Sequence, residues 1–148
     1  MAILREQINT ALPIDRAFAF VADFANASQW DPGVATSERS DTGPVGIGAR
    51  YRLGLRVRGK VSPADYVITV FEPSRRVVLT GTGSVMEAVD DIRFEATETG
   101  TRIDYMADIR LKGLMRLAAP FAGGAFKKIG RDALDGMQRT LDRLAAEA

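Results

Sequence analysis

The chain contains no cysteine and no histidine. Without cysteine there is no disulfide framework and no thiolate chemistry. Without histidine the usual base at physiological pH and the commonest metal ligand are missing. A zinc site of the usual kind, a Ser-His-Asp triad and a Cys-His pair are therefore excluded within this chain, and neither a metal nor a cofactor is expected. Charge of one sign is also lacking: 20 Lys plus Arg stand against 19 Asp plus Glu, interspersed along the chain, for a net charge of +1. That balance gives no reason to expect a nucleic-acid partner. No apolar run approaches the ~18 residues of a membrane span, so no span is expected. The opening Met1-Ala2-Ile3-Leu4-Arg5-Glu6-Gln7 has neither the basic stretch nor the apolar run of a secretory leader, which makes the cytoplasm the expected compartment.

What is present suits one domain over residues 1–148, with 46% hydrophobic residues to fill a core. Ile3 to Leu12 reads as a strand ended by Pro13, after which Asp15 is placed to cap a short helix carrying Phe18, Val21 and Ala22 at helical spacing. Asn26 to Pro32 reads as a second short helix or turn leading into Trp30-Asp31-Pro32. From Val34 to Leu111 the pattern has period two, broken by turns. Tyr51, Leu53, Leu55 and Val57 share one face; Arg50, Arg52, Arg56 and Arg58 share the other. Tyr66, Ile68 and Val70 alternate with Val67, Thr69 and Phe71. Met86, Ala88, Asp90, Ile92 and Phe94 share a face, as do Ile103, Tyr105, Ala107, Ile109 and Leu111.

After Gly113 the period becomes about 3.6, with Phe126, Ile129, Ala133, Met137, Leu141 and Leu144 in one stripe. Pro120 and Gly123-Gly124 predict a break or kink early in that helix. The expected fold is α+β: a curved antiparallel sheet of about seven strands wrapped around a long C-terminal helix, with two short helices after the first strand. A curved sheet gripping one helix leaves space between them, the natural place for a ligand.

At this point the chain resembles the Bet v 1-like helix-grip superfamily, also called START-like or SRPBCC, and within it the bacterial polyketide cyclase/dehydrase-like branch. The resemblance is carried by Ala11-Leu12-Pro13-Ile14-Asp15, Phe18-Ala19-Phe20-Val21-Ala22-Asp23-Phe24 and Trp30-Asp31-Pro32-Gly33-Val34. It continues through Gly46-Ile47-Gly48-Ala49-Arg50-Tyr51, Val70-Phe71-Glu72-Pro73-Ser74-Arg75-Arg76-Val77, Gly100-Thr101-Arg102-Ile103-Asp104-Tyr105 and the closing helix. It implies the helix-grip fold and an enclosed ligand, since members bind lipids, sterols, polyketides, quinones and plant hormones. Only a minority cyclise or dehydrate polyketides, so fold similarity favours binding over catalysis.

Few residue types remain that could do chemistry. Trp30 either lines the entrance or, the commoner fate of large aromatics, packs the short helices onto the sheet. Tyr51, Tyr66 and Tyr105 face inward and could each offer a phenol to a ligand carbonyl or hydroxyl. Asp90 shares the inward face, where an unpaired carboxylate is costly. It is then an acid or base with a raised pKa, or, the more ordinary reading, a bulge at Val89-Asp90-Asp91 turns it outward. The row Arg50, Arg52, Arg56, Arg58 and Lys60 could meet an anionic membrane or acidic partner, but reads first as a solvated outer face. Pro120 to Gly124 is either a gate over the cavity or a simple kink.

The leading expectation is a binding protein for a small hydrophobic or aromatic molecule, lipid-, polyketide- or quinone-like. Its lining would be Trp30, Tyr51, Leu53, Tyr66, Ile68, Ala88, Asp90, Ile92, Tyr105, Ala107 and Ile109, closed from the helix side by Met115, Phe121, Phe126 and Ile129. The second is a polyketide cyclase or dehydratase with Asp90 as acid/base and a tyrosine, Tyr105 foremost, polarising a carbonyl. The third is a protein-interaction module with a filled core. Monomer and homodimer are both open.

Overall fold

Residues 2–121 and 123–147 are described by a computed structural model of the chain, the side chains of residues 2, 118–121 and 123 excepted. The period-two stretches form seven strands: β1 (Ala2–Thr10), β2 (Val34–Arg39), β3 (Arg50–Val57), β4 (Lys60–Glu72), β5 (Arg76–Gly83), β6 (Met86–Thr97) and β7 (Gly100–Leu111). They lie in the order β1-β7-β6-β5-β4-β3-β2, every neighbouring pair antiparallel. Between β1 and β2 come α1 (Ile14–Ala22), a 3₁₀ turn (Phe24–Asn26) and α2 (Ala27–Trp30). After β7 a 3₁₀ segment (Gly113–Phe121) precedes α3 (Gly123–Ala146). This is the arrangement of antiparallel sheet, short helices and long C-terminal helix that the periodicities predict, and the helix-grip fold that the resemblance implies.

Local differences have identifiable causes. β1 stops at Thr10, two residues before the run ends, because Leu12 turns into the core. Asp15 is not the cap of α1; Pro13 holds that position with no side-chain bond, and Asp15 lies in the first turn, where its charge meets the positive end of the helix. The alternation of β4 is broken between Ile68 and Val70 by a register shift against β5. The extra residue carries Phe71, rather than Val70, onto the inner side, where its ring lies 5.2 Å from that of Phe18. The break expected around Pro120 to Gly124 falls at the junction of the 3₁₀ segment and α3.

α3 crosses the concave face on the buried residues Ala133, Leu134, Met137 and Leu141. Polar ties fix it lengthwise. Thr10 Oγ1 donates to Asp142 Oδ1 at 2.6 Å, Gln138 Nε2 donates to the Asn9 carbonyl at 2.8 Å, and Thr140 Oγ1 donates to the Gln29 carbonyl at 3.2 Å. Gly136 sits where α3 meets α2, and a Cβ there would come within 2.0 Å of the Trp30 carbonyl oxygen.

The two halves of the enclosed space differ because the side chains do. Toward the start of β5 and β7, Phe18 lies 5.2 Å from Phe71 and 5.1 Å from Phe94. Leu79, Ile92 and Ile103 fill in around them without measurable exposure. Toward the other end the inner positions are small: Ala88 on β6, Ala107 on β7, and Gly130 and Ala133 on α3. One half is a packed core and the other is hollow.

Candidate ligand cavity

The hollow half is a cavity of about 430 Å³, within the range of small-molecule sites. The sheet contributes Leu53, Tyr66, Ala88, Asp90, Tyr105, Ala107 and Ile109 to its wall; the helical side contributes Phe24, Trp30, Met115, Phe126, Ile129 and Leu134. The wall is mostly apolar, and its polar groups are few and identifiable.

Asp90 is the most constrained of them. Its register against both β5 and β7 is unbroken, with Asp90 opposite Leu79 on one side and Ala107 on the other. The bulge that would turn it outward is absent. Asp91 takes the outer position and is held there by Arg76 at 2.9 Å and Arg93 at 3.4 Å. Asp90 is thus buried on the cavity wall, and the Tyr105 hydroxyl donates to its Oδ2. Burial pushes its carboxyl up to about 7, the Tyr105 hydrogen bond drawing it back and the charge of Asp31 adding to the rise.

Asp31 is a second carboxyl on the same wall. It follows Trp30 at the end of α2, and its Oδ1 accepts the Gly33 N–H at 2.8 Å. Burial raises it to about 6 against that hydrogen bond. Tyr66 and Tyr105 are held well above the ordinary phenol value by burial, with Asp90 the next cause for each. Tyr66 depends on Gly81: a Cβ at that position would fall 2.4 Å from the Tyr66 ring, so only glycine lets the ring lie across β5. Trp30 packs edge-on against Tyr105 at 6.0 Å and Phe24 at 6.2 Å. It both joins the short helices to the sheet and lines the cavity.

The site therefore offers an apolar volume with two carboxyls poised near neutrality and two neutral phenols. Such groups can donate to a ligand carbonyl or accept from a ligand hydroxyl. Among the described residues no group of acidic side chains is placed to hold a metal ion.

Of the expected lining residues, Trp30, Leu53, Tyr66, Ala88, Asp90, Tyr105, Ala107, Ile109, Met115, Phe126 and Ile129 come together around the cavity. Tyr51, Ile68 and Ile92 do not: they are buried in the core but do not reach the wall. Tyr51 lies against Phe24 at 6.4 Å, with Arg39 over its ring at 5.4 Å. Phe121 lies outside the described side chains. Sequence reasoning passed over Asp31, Phe24, Leu134 and the two arginines Arg56 and Arg58, all on the wall. Asp31 was within reach, being the middle residue of the Trp-Asp-Pro turn. The expected arginine face divides: Arg52 pairs outward with Asp65 at 3.0 Å, whereas Arg56 and Arg58 border the cavity, Arg56 Nε donating to the Pro32 carbonyl at 3.1 Å.

The profile of a family described as polyketide cyclase / dehydrase and lipid transport matches residues 1–148. No curated protein matches the chain in sequence. Among solved structures it is similar to a START superfamily protein from Mycobacterium smegmatis, at 13% identity over 99% of each chain with a TM-score of 0.75. It is similar also to a protein of Thermus thermophilus, at 16% identity over 99% of each chain and a TM-score of 0.77. The Zhui aromatase/cyclase from Streptomyces sp. R1128 matches at 13% identity over 97% of this chain and 93% of that one, TM-score 0.75. At these identities the likeness is one of fold.

Proposed function

The chain belongs to the polyketide cyclase / dehydrase and lipid transport family, and from that premise we propose that it binds a small hydrophobic or aromatic molecule, lipid-, polyketide- or quinone-like, between the sheet and α3. The observation that carries this reading is the cavity of about 430 Å³ with its apolar wall and few polar groups. Removing apolar ligand surface from water supplies the affinity, at roughly 25 cal/mol per Å² before ordering costs. Asp31, Asp90, Tyr66 and Tyr105 supply orientation, because a ligand that leaves them unpaired forfeits their desolvation cost. A filled-core interaction module would have no use for the hollow half.

The test is titration with a neutral fluorescent apolar probe such as N-phenyl-1-naphthylamine. Saturable one-to-one binding that Ala107→Phe abolishes supports the reading. Failure of the folded protein to bind any such probe removes it.

A second reading, an enzyme of the polyketide cyclase or dehydratase type, is favoured by the Asp90–Tyr105 pair alone. Near pH 7 an Asp90 carboxylate can take a proton from a methylene flanked by two ketones, whose acidity makes the transfer feasible. A phenol, Tyr66 or Tyr105, then donates to the oxygen that receives the electron pair as an enolate. The enolate carbon attacks a distant carbonyl of the same chain, which closes the ring; the alkoxide takes up the proton that Asp90 removed, and loss of water then leaves a carbon–carbon double bond. Holding the flexible poly-ketone folded would be the cavity's main contribution. Cyclised product from an aromatic polyketide precursor, lost in Asp90→Asn, would favour this reading; binding without turnover would favour the first.

A further inference from the structure

The antiparallel meander gathers specific elements at one end of the sheet. β3 ends at Val57 and β4 begins at Lys60; β5 ends at Gly83 and β6 begins at Met86; β7 ends at Leu111. All these termini lie on the same edge, and the 3₁₀ segment and the start of α3 follow directly from β7. It is also the cavity's open end: Val57, Arg58, Val85, Met86, Leu111, Met115 and Ala125 all border the cavity.

Two properties coincide there. Large apolar side chains stand in solvent, with Leu114 86%, Leu117 75%, Val61 57% and Ile129 51% exposed. Around them stand Arg56, Arg58, Lys60, Lys112, Arg116, Lys127 and Lys128. The acids nearby are few: Glu87 lies 3.9 Å from Lys112, Asp132 pairs with Lys128 at 2.7 Å, and Glu6 is on the cavity wall. Arg58, Lys60, Arg116 and Lys127 have no ion pair among the described residues. The tip itself is a tight two-residue turn, Arg58 at φ 51 and Gly59 at φ 76, which presents Arg58 and Lys60 outward. In a chain of net charge +1 this is a strong local excess of positive charge.

We propose that this end of the molecule is a docking surface for an anionic phospholipid bilayer, with Leu114 and Leu117 entering the interface and the arginines and lysines meeting the headgroups. Exposed leucines ringed by unpaired cations match the layered chemistry of such a surface, where apolar side chains and basic charge act together. Free solute anions would not account for the leucines. The geometry also brings the open end of the cavity against the lipid, so that an apolar ligand passes between membrane and cavity without crossing water. Among the described residues no helix is long and apolar enough to cross a membrane, so the contact is peripheral.

The test is co-sedimentation with vesicles of phosphatidylcholine alone and of phosphatidylcholine with an equal part of phosphatidylglycerol. The protein should sediment with the anionic vesicles and not with the neutral ones, and should be released as salt shortens the Debye length from about 10 Å to about 3 Å. Leu114→Glu/Leu117→Glu and Arg58→Glu/Lys60→Glu, all at exposed positions and checked for folding by circular dichroism, should each lower partitioning at least tenfold, about 1 kcal/mol per basic residue being at stake. Ile47→Glu, 73% exposed at the opposite end of β3, should behave as wild type. The proposal is overturned if wild type stays in the supernatant at low salt, if neutral vesicles bind it equally, or if either double variant sediments like wild type. It is overturned too if light scattering shows a dimer that Leu114→Glu/Leu117→Glu dissolves while vesicle binding persists, for the leucines then serve a second copy of the chain.

Discussion

Replacing Asp90 by Asn isolates the energetic consequence of a carboxyl on an apolar wall. Its folded-state pKa of about 7 stands above the ordinary 3.8. Below about pH 4 the carboxyl is protonated in both folded and unfolded chains and the shift costs nothing. As pH rises toward 7 the unfolded chain releases the proton while the folded one keeps it, so stability falls through this window and levels off above it. At 1.36 kcal/mol per pH unit the loss is about 4 kcal/mol. Asp31, raised to about 6, acts in the same direction over a narrower window. Asp41, held low by Arg39, and Asp91, where burial is outweighed by Arg76 and Arg93, act with opposite sign at lower pH. Asn keeps an oxygen to accept from Tyr105 and has no proton to lose. Asp90→Asn should therefore gain on wild type by about 4 kcal/mol between pH 4 and pH 8, whatever its absolute stability. Urea unfolding of both proteins at the two pH values, with equal m-values, measures the difference. Parallel stability curves for the two proteins would refute a desolvated Asp90.

Tyr105→Phe removes the donor to Asp90; it should raise the Asp90 pKa above about 7 and cost about 1–3 kcal/mol, more at pH 8 than at pH 5, as read by urea unfolding and carboxyl NMR titration. Ala107→Phe puts a ring into the hollow half; probe affinity should fall at least tenfold while unfolding free energy changes by less than about 1 kcal/mol, because space for the ring exists already. Gly136→Ala gains up to about 1 kcal/mol of helix propensity. Yet it drives a Cβ to 2.0 Å from the Trp30 carbonyl, so a net loss of about 2 kcal/mol is expected in a thermal melt as α3 lifts from α2.

How much of this was legible in the chain depends on what periodicity encodes. Period two assigns a residue to a face, and β6 and β7, with the cleanest alternation, placed Ala88, Asp90, Tyr105 and Ala107 correctly on the inner side. It says nothing about position along the strand. Tyr51, Ile68 and Ile92 share that face and are buried, yet none reaches the cavity wall, because which inward positions are covered by neighbouring side chains depends on long-range packing. Phe71 reaches the cluster of Phe18 and Phe94 only through the register shift after Ile68, invisible in a run of apolar residues. At Asp90 the error ran the other way. Two adjacent acids suggested a slip, but Arg76 on the neighbouring strand β5 and Arg93 two residues along β6 take Asp91 outward and leave Asp90 in register. Asp31 escaped the periodicity because a turn residue has no period; its place in the Trp-Asp-Pro turn was the one signal that pointed to it.

The most direct test of the enclosed-ligand account is native mass spectrometry of the protein as purified, alongside Ala107→Phe, followed by denaturation and identification of anything released. The account predicts a stoichiometric apolar compound, or uptake of one added apolar molecule, in wild type and not in the variant. A bare polypeptide mass in both, with no uptake of apolar probes, would contradict it.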